Sequence, residues 1–446
     1  MNIVICGAGD VGRHATEVLG SLGHDVTVID LEAETLTGIG QIVDVRTLRG
    51  NGVQADLLRE AGVEGADLFL AATRTDEINL LAASVAKAVG ARRCVARVHH
   101  SAYFELRGLD YAGHLGIDHL VCPEHSTAVA IAQTLRNPGA MAVERFARGQ
   151  IEMQQFPVGP RAKVIGKALH QFMPRAARVA AIERRSAAFI PDGRTVIQSG
   201  DIVTLVGDVK IFNRVRKLFQ SDGTGHLRVV IVGATAMGVW LCRALRSRSF
   251  AIKMFVTRQS RAEELADKLH WVTVLNADAT DPILFEEEHL NQVDAFVALT
   301  ADDEHNIIAA AHAKSRGAKT AIAVLQRVTY LHLLGHVGID RAFSPVTTAI
   351  AHLQQWLDER SVRHLASLAV GIADVYEVKV PDRASITGTL LRDMVLAKPM
   401  IITAIERGQQ VFVPGAEDCI RQGDRLVVAG PSGLEDELRK MFGIKE

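Results

Sequence analysis

The sequence lacks any uninterrupted apolar stretch long enough to cross a membrane, which takes roughly 18 or more residues. The longest candidate, from Val229 to Cys242, is interrupted by Gly233 and Gly238. Met1 leads directly into an apolar strand, with no basic and apolar leader before it. We therefore expect a cytoplasmic chain without a membrane span of its own.

An excess charge of one sign and paired cysteines are also missing. The formal net charge is −1, so no overall basic field would attract nucleic acid or anionic lipid. The five cysteines show no C-x-x-C spacing, which favours reduced thiols over a disulfide framework or a zinc site. They are Cys6, Cys94, Cys122, Cys242 and Cys419. The composition thus predicts no nucleic-acid partner and no metal site.

The most informative motif lies at the N-terminus. Ile3–Cys6 is predicted as a buried strand, and a complete G-x-G-x-x-G sequence follows it. A helix-like stretch and a second apolar strand, Val26–Ile29, come next, and Asp30 ends that strand. This order of strand, glycine turn, helix, strand and acid is typical of dinucleotide binding. The motif consists of Gly7, Ala8, Gly9, Asp10, Val11 and Gly12.

Each part of the motif has a predicted role. Gly7 permits a tight turn, Gly9 lets the backbone approach a pyrophosphate, and Gly12 lets helix and strand pack closely. The helix N-terminus presents free N–H groups to the phosphates, and Asp30 accepts hydrogen bonds from ribose hydroxyls. The alternative is a glycine-rich turn in an α/β protein that binds no ligand.

Strands and helices continue to alternate beyond Asp30, with Ile42–Val43 predicted as a third strand and Ala66–Ala72 as a fourth. This rhythm predicts a parallel, doubly wound sheet. Ligands of such sheets bind outside the C-terminal ends of the strands. The loops that carry the glycine motif, Asp30, Asn51 and Thr73–Asn79 all fall at that edge.

The second half of the sequence repeats the first. Thr73–Asn79 recurs as Thr300–Asn306, and Ala181–Arg184 recurs as Ala404–Arg407 at nearly the same offset. The fold class is therefore α/β, with two Rossmann-like domains that are each followed by a small α+β domain. Ser221–Gly225 is predicted as a flexible linker between the halves. The expected domain boundaries are 1–140, 141–222, 223–366 and 367–446.

The nucleotide motif is altered in the second half. Thr235 replaces the middle glycine, and its side chain would crowd a pyrophosphate that lies against the backbone. The counterpart of Asp30 is Val256 or Thr257, so the ribose acceptor is missing. We expect the first large domain to hold the main nucleotide site.

Two further positions distinguish the halves. Arg258 either holds a phosphate, such as the 2′-phosphate of NADP, or is a solvated surface charge. Val324 stands where the first half has Arg97, which removes a possible phosphate contact. The second site is therefore predicted to be degenerate or altered.

Catalytic motifs are scarce. The sequence contains neither a G-x-S-x-G elbow nor a P-loop. His99 and His100 are adjacent, so at most one could face a ligand as an acid or base. Asp76 and Glu77 begin a predicted helix, where their simplest role is to stabilise its dipole. The small domain that follows is not of the size of a dehydrogenase substrate domain, which argues against hydride transfer.

Several segments together are specific to one family. They are the G-A-G-D-V-G motif with Asp30, Thr75–Asn79, Ala96–Val98 followed by Tyr103, Asn137–Ala140, and the duplicated A-I-E-R segments. With these features the chain resembles, over nearly its full length, the TrkA family of cytosolic regulatory subunits of bacterial Trk-type potassium uptake systems. The resemblance implies that the large domains are RCK (KTN) N-terminal domains and the small ones RCK C-terminal domains.

The resemblance also implies ligands and partners. Gly7, Gly9, Gly12 and Asp30 would bind NAD(H), with ATP or ADP as alternative ligands, and the further contacts would be Asn51, Thr73 and Arg97. The protein would form homodimers or homotetramers on the inner face of the cell membrane. Its partner there would be a potassium-translocating subunit of the TrkH/TrkG kind.

Two other functions compete with this interpretation. An NAD-dependent oxidoreductase would consume NADH with a small carbonyl substrate. An NADH-sensing regulator of DNA would need a helix-turn-helix or a basic recognition stretch, and the sequence shows neither.

Overall fold

The structure is a computed structural model that describes residues 1–41, 43–104, 108–136, 142–146, 150–185, 187–219, 226–357, 361–368, 373–382, 384, 386–394, 399–408 and 410–444. Two compact units make up the chain. The first contains Met1–Ala132 and Gly225–Leu357, and the second contains Gln133–Thr224 and Asp358–Glu446. The two large domains thus share one unit, and the two small domains share the other.

The first large domain is built around a six-stranded parallel sheet of order β3-β2-β1-β4-β5-β6. Its strands are β1 (Asn2–Cys6), β2 (Asp25–Asp30), β3 (Arg46–Arg49), β4 (Leu68–Ala71), β5 (Cys94–Arg97) and β6 (His119–Val121). Its helices are α1 (Asp10–Ser21), α2 (Ala33–Gly40), α3 (Ala55–Glu60), α4 (Asp76–Val89), α5 (Ser101–Phe104), α6 (Tyr111–Leu115) and α7 (Pro123–Arg136). This order is that of a doubly wound, Rossmann-like sheet, as the sequence predicts.

The first small domain is an antiparallel sheet of order β10-β9-β11-β8-β7 with one helix. Its elements are β7 (Ala142–Phe146), β8 (Ile151–Pro157), β9 (Ala177–Arg184), β10 (Ala187–Phe189), β11 (Ile202–Asp208) and α8 (Val209–Phe219). A short 3₁₀ helix, Leu169–Gln171, precedes β9.

The second large domain repeats the first, with a parallel sheet of order β14-β13-β12-β15-β16-β17. Its strands are β12 (Leu227–Val232), β13 (Phe250–Phe255), β14 (Val272–Leu275), β15 (Ala295–Ala298), β16 (Thr320–Val324) and β17 (Arg341–Phe343). Its helices are α9 (Ala236–Ala244), α10 (Gln259–Lys268), α11 (Pro282–Glu287), α12 (Asp303–Ser315) and α13 (Pro345–Leu357). The 3₁₀ helices of this domain are Leu290–Gln292 and Val328–Val337.

The second small domain repeats the other antiparallel sheet in the order β18-β19-β22-β20-β21. Its elements are β18 (Val362–Leu368), β19 (Ala373–Lys379), β20 (Ile401–Arg407), β21 (Gln410–Phe412), β22 (Arg425–Pro431) and α14 (Glu435–Phe442), with a 3₁₀ helix at Leu391–Asp393. The same strand order in both small domains confirms the tandem duplication.

The two large domains exchange helices. Helix α13 follows the second sheet in the chain, yet Ile350 and Leu353 on it are buried in the apolar core around Val11 and Leu19 of α1. In the other direction, His125 of α7 packs on the Trp240 ring of α9, with ring centroids 4.7 Å apart. The core of the first large domain is therefore completed by a helix from the second half.

The prediction for the third strand is wrong. The strand is Arg46–Arg49 rather than Ile42–Val43. It is a short edge strand with no buried residue, so it carries none of the apolar pattern that identifies the central strands. Ile42, Asn137–Ala140 and the predicted linker Ser221–Gly225 lie outside the described residues.

Candidate functional site

The candidate site lies where the parallel strands of the first large domain end. Strands β1, β2, β3, β4 and β5 end at Cys6, Asp30, Arg49, Ala71 and Arg97. Because all of them run in the same direction, the loops that follow them meet at one edge of the sheet. The structure therefore brings the glycine motif, Asp30, Asn51, Thr73 and Arg97 to the same edge.

The glycine motif packs tightly at two positions and is open at a third. Gly7 has φ +102°, and a Cβ there would lie 2.7 Å from the backbone N of Thr73. A Cβ at Gly12 would lie 1.8 Å from the carbonyl oxygen of Gly7. At Gly9, which precedes the first turn of α1, an added Cβ would meet no atom within 4 Å. Gly7 and Gly12 thus shape the turn, and Gly9 leaves free space in front of the helix N-terminus.

The other three motif residues have different exposures. The side chains of Ala8 and Val11 are buried in the core beneath the loop, so only their backbones could face a ligand. Asp10 is exposed on the first turn of α1, and its carboxylate adds negative charge beside the positive end of the helix.

Asp30 fastens the glycine loop to the end of β2. One carboxylate oxygen accepts the N–H of Ala8 at 2.6 Å, and the other accepts the N–H of Glu32 at 2.9 Å. A carboxylate has about four acceptor positions, so capacity remains for ribose hydroxyls. Asp30 thus orients the loop and still presents an acceptor at the sheet edge.

Asn51 forms the turn after β3. Its side-chain oxygen accepts the N–H of Val53 at 3.2 Å, and its carbonyl accepts the N–H of Gln54 at 3.0 Å. The turn packs closely on the sheet, because a Cβ at Gly52 would lie 2.2 Å from the Cys6 sulfur. Burial, with the nearby charge of Asp30, raises the pKa of the Cys6 thiol to about 12, so this cysteine stays protonated.

Sequence reasoning missed Asn79, whose buried side chain ties three elements together. Its amide oxygen accepts the N–H of Thr73 at 2.8 Å and the hydroxyl of Thr73 at 2.7 Å. Its amide nitrogen donates to the carbonyls of Thr73 and Arg97, at 3.1 and 3.0 Å. Asn306 makes the same four contacts in the second half. The recurrence of the whole segment in both halves was the signal for this structural role.

Asp76 does more than stabilise a helix dipole. Its buried carboxylate accepts the backbone N–H groups of His99 and His100 at 2.8–3.0 Å. In the second half Asp303 accepts the corresponding N–H groups of Gln326 and Arg327, both at 2.8 Å. The first residue of α4 therefore holds the loop that follows β5, beside the predicted phosphate contact.

Arg97 lies in a small cluster that the sequence did not reveal. Glu124, in the first turn of α7, is 2.8 Å from Nδ1 of His99 and 3.7 Å from Nη2 of Arg97. Burial opposes ionisation of Glu124, but the hydrogen bond from His99 and the electrostatic interactions with His99 and Arg97 lower its pKa overall. Nε of Arg97 is buried and has no hydrogen-bond partner among the described residues. Arg97 is thus a cation held at the edge of the predicted phosphate site.

In the second half, side chains occupy the corresponding loop. Thr235 caps α9, since its hydroxyl accepts the N–H of Gly238 at 3.3 Å and donates to the carbonyl of Leu299 at 3.2 Å. Arg261 of α10 donates through Nε and Nη2 to the carbonyl of Ala234, both at 3.3 Å. The helix N-terminus that stays open at Gly9 is therefore capped from within at Thr235.

The strand register of the second large domain identifies the residues that correspond to Asp30 and Arg97. Phe255 pairs with the last residue of β12 as Ile29 pairs with the last residue of β1, so Val256 and not Thr257 takes the place of Asp30. Val256 is buried and apolar. Val324, which accepts from Asn306 as Arg97 does from Asn79, is buried as well. Arg258 is exposed at the N-terminus of α10.

Neither a metal centre nor a membrane span is found in the part of the chain that the structure describes. No group of three or more His, Cys, Asp and Glu side chains there is arranged to hold a metal ion. No helix among these residues is long and apolar enough to cross a bilayer.

Family sequence models match all four domains. The TrkA-N domain matches residues 3–123 and 229–345, and the TrkA-C domain matches residues 153–220 and 375–443. The chain belongs to the TrkA family. A Trk system potassium uptake protein TrkA homolog of Archaeoglobus fulgidus is 34% identical over 443 residues, which cover 99% of this chain and 100% of that protein. The Trk system potassium uptake protein TrkA of Haemophilus influenzae is 32% identical over 437 residues, covering 96% and 95%.

Solved structures with the same fold include RCK domains. The GsuK channel bound to NAD has a TM-score of 0.63 at 16% identity, covering 100% of this chain and 79% of that one. The GsuK RCK domain has a TM-score of 0.62 at 16% identity, covering 100% and 95%. GsuK bound to ADP has a TM-score of 0.52 at 12% identity, covering 80% and 68%. The predicted fold, tandem RCK-type N and C domains, is thus confirmed for this TrkA family member.

Proposed function

We propose that the chain is a nucleotide-sensing regulatory subunit of a potassium uptake system, and that NAD(H) binds in its first large domain. One observation carries the proposal. The first half keeps the helix N-terminus open at Gly9 with Asp30 beside it, whereas the second half fills the same place with Thr235 and Arg261. A nucleotide would lie along the glycine loop, with its pyrophosphate at the N-terminus of α1 and a ribose on Asp30.

The comparisons support this function. The relatives from Archaeoglobus fulgidus and Haemophilus influenzae are named potassium uptake proteins, and GsuK was solved with NAD and with ADP. Membership of the TrkA family also favours a regulator over the oxidoreductase alternative. We therefore take NAD(H) as the principal ligand and ATP or ADP as the competing one.

Regulation would work through a population shift. A nucleotide that binds one conformation of the assembled protein more tightly than another favours that conformation. Such coupling between sites is typically about 1–3 kcal/mol. The assembly would be a homodimer or homotetramer that sits in the cytoplasm against the inner face of the membrane. It would gate potassium flux through a membrane subunit of the TrkH/TrkG kind.

Calorimetric titration with NADH, NAD, ATP and ADP tests the nucleotide site. The full chain is compared with Asp30→Ala and with Asp25→Ala, which removes an exposed carboxylate at the other end of β2. We expect one site per chain, and we expect Asp30→Ala to weaken binding about 10–100-fold because it loses hydrogen bonds to a charged acceptor. Asp25→Ala should bind like the parent chain.

Two results would contradict the assignment. Two equivalent sites per chain would mean that the second half also binds, and unchanged affinity in Asp30→Ala would place the ligand elsewhere. Steady consumption of NADH with small carbonyl compounds would instead revive the oxidoreductase alternative. The gating step is tested separately, by potassium flux through the reconstituted membrane subunit with and without the nucleotide that binds most tightly.

A further inference from the structure

A cavity of about 340 Å³, separate from the nucleotide site, is lined mainly by the second small domain and in part by Arg178 of the first. Its walls come from the 3₁₀ helix before β20, from β20 and β22, and from α14. Most of the lining is apolar, with Leu391, Met394, Met400, Leu438, Met441 and Phe442 prominent. This volume is at the lower end of the range for sites that hold small organic ligands, roughly 300–1,000 Å³.

The cavity is lined in part by residues that differ between the two small domains. In the first small domain Phe219 packs between Phe156 and Phe172, with ring centroids 5.9 and 5.7 Å away. Phe442 repeats Phe219 at the end of the last helix of its domain. The residues equivalent to the other two rings are smaller or more flexible. Val378, next to last in β19, replaces Phe156, and Met394, directly after the 3₁₀ helix, replaces Phe172. Met394 lines the cavity, so at that position a flexible side chain replaces a ring that packs the core of the first small domain.

A cation without an acidic partner lies in the cavity wall. The Arg178 guanidinium, which comes from β9 of the first small domain, donates to the carbonyls of Arg175, Ala177 and Pro414 at 3.0–3.3 Å. No carboxylate among the described residues forms an ion pair with it, and burial lowers its pKa. Carbonyl dipoles satisfy N–H groups but leave the net positive charge uncompensated.

The second arginine of the wall differs in this respect. Arg392 lies 2.5 Å from a carboxylate oxygen of Glu417 and 3.5 Å from one of Asp393, so its charge is neutralised within the protein. The cavity therefore combines an apolar interior with a single uncompensated positive charge, that of Arg178.

We propose that this cavity binds a small amphipathic carboxylate, with its hydrocarbon body among the methionines and its carboxylate on Arg178. Apolar walls and flexible methionines accommodate hydrocarbon of varied shape. A guanidinium pairs with a carboxylate through two parallel hydrogen bonds. A neutral hydrocarbon would fill the same space without using the charge, and a cationic amphiphile would be repelled by Arg178.

Three probes that share the same hydrocarbon length but differ in head group distinguish an anionic ligand from a neutral and a cationic one. Octanoate, 1-octanol and octylamine are titrated calorimetrically into the full chain and into the variants Arg178→Gln and Met394→Phe. We expect the parent chain to bind octanoate at least about tenfold more tightly than 1-octanol, as a charge-assisted hydrogen bond implies, and octylamine not at all. Arg178→Gln should remove the preference for octanoate. Met394→Phe, which restores the ring of the first small domain, should abolish binding of both octanoate and 1-octanol.

Arg161→Gln, which removes an exposed arginine of the first small domain, is the matched control and should change nothing. Arg178→Gln leaves the core volume intact, so it remains informative if Met394→Phe lowers stability. Equal affinities for octanoate and 1-octanol in the parent chain would overturn the proposal, as would an unchanged preference in Arg178→Gln. NADH titration of the same variants should match the parent chain, which keeps this test independent of the nucleotide site.

Discussion

At the residue scale, Gly9 and Gly12 show that the glycines of one motif have separable roles. An added methyl group would collide with the carbonyl of Gly7 at position 12 but would meet open space at position 9. We expect both residues to be needed for nucleotide binding and only Gly12 to be needed for folding. Ordinary stability measurements can therefore separate the residue that shapes the loop from the residue that admits the ligand.

We predict that Gly9→Ala leaves the fold intact and abolishes nucleotide binding. The backbone at Gly9 has φ −70°, which alanine adopts freely, so the free energy of unfolding should fall by no more than about 1 kcal/mol, the usual cost of alanine at this position of a helix. The new methyl group would occupy the space into which we place the pyrophosphate. Urea unfolding and NADH titration of the same sample test both parts.

Gly12→Ala is the contrasting variant and should lower the free energy of unfolding by about 1–3 kcal/mol or more, because its Cβ cannot fit beside Gly7. Full NADH affinity in Gly9→Ala would mean that the phosphates do not lie at this helix N-terminus. Equal loss of stability in both variants would contradict the distinction between the two glycines.

At the element scale, a single amide side chain sets the spacing of β4, α4 and β5. Asn79 satisfies the backbone of Thr73 and the carbonyl of Arg97, and Asn306 does the same for Thr300 and Val324. The same hydrogen bonds occur in the first half, which we expect to bind nucleotide, and in the second half, which we expect not to bind it. It is therefore a feature of the fold, and we expect it to affect binding only by positioning Arg97 and Thr73.

We predict that Asn79→Ala and Asn306→Ala each lower the free energy of unfolding by about 3 kcal/mol, because three backbone groups lose their hydrogen-bond partners at about 1 kcal/mol each. Only Asn79→Ala should also weaken NADH binding. Denaturant unfolding and calorimetry of the two variants side by side provide the comparison. A loss of NADH affinity in Asn306→Ala would show that the second half contributes to the site.

The exchanged helix α13 leads to a second prediction at this scale. Leu353→Ala should lower stability by about 2–5 kcal/mol, the range for a buried leucine. The effect should appear in the first large domain, as faster hydrogen exchange in β1 and α1, although Leu353 belongs to the second half of the sequence. Ala351→Gln, at an exposed position of the same helix, is the control. Faster exchange confined to β12 and α9 would be incompatible with this packing.

At the scale of the whole molecule, the lowered pKa values of several carboxyl groups predict how the stability of the protein changes with pH. Hydrogen bonds and nearby cations hold the pKa of eight carboxyl groups below their ordinary values. They are Asp67, Glu77, Glu124, Asp192, Glu264, Asp278, Asp294 and Asp302. A group whose pKa is lower in the folded state favours folding when it is ionised, and that contribution is lost as pH falls through its folded-state pKa.

We therefore predict that the contribution of these carboxyl groups to the free energy of unfolding is constant above about pH 5. It should fall progressively below about pH 4.3, the ordinary pKa of glutamate. The loss should continue toward pH 2, since the pKa of Glu264, next to Lys268 and Arg261, is lowered to about 2. Urea unfolding midpoints at a series of pH values test this. Glu124→Gln should reduce the slope below pH 4.3, and a parent chain equally stable at pH 5 and pH 3 would contradict the prediction.

The sequence determined the features that depend on local order along the chain. Apolar runs separated by helical stretches predicted the parallel sheet, and the repeated Thr73–Asn79 and Ala181–Arg184 segments predicted the duplication. The loss of the middle glycine at Thr235 predicted an altered second loop. The edge strand Arg46–Arg49 was not predicted, because a polar edge strand has no apolar pattern in the sequence. The parallel sheet, the duplication and the altered loop depend on residues that are close in sequence, so pattern and composition suffice to predict them.

Only the tertiary structure decided which distant side chains meet. Glu124 reaches Arg97 because β5 and β6 are adjacent in the sheet, and Arg261 covers Ala234 because α10 packs beside the loop. The cavity at Met394 likewise depends on side chains that converge from five elements. No pattern of neighbouring residues predicts such contacts, because each of these side chains is compatible with its own helix or strand regardless of its partners in the fold. The sheet order and the packing of the helices bring these residues together.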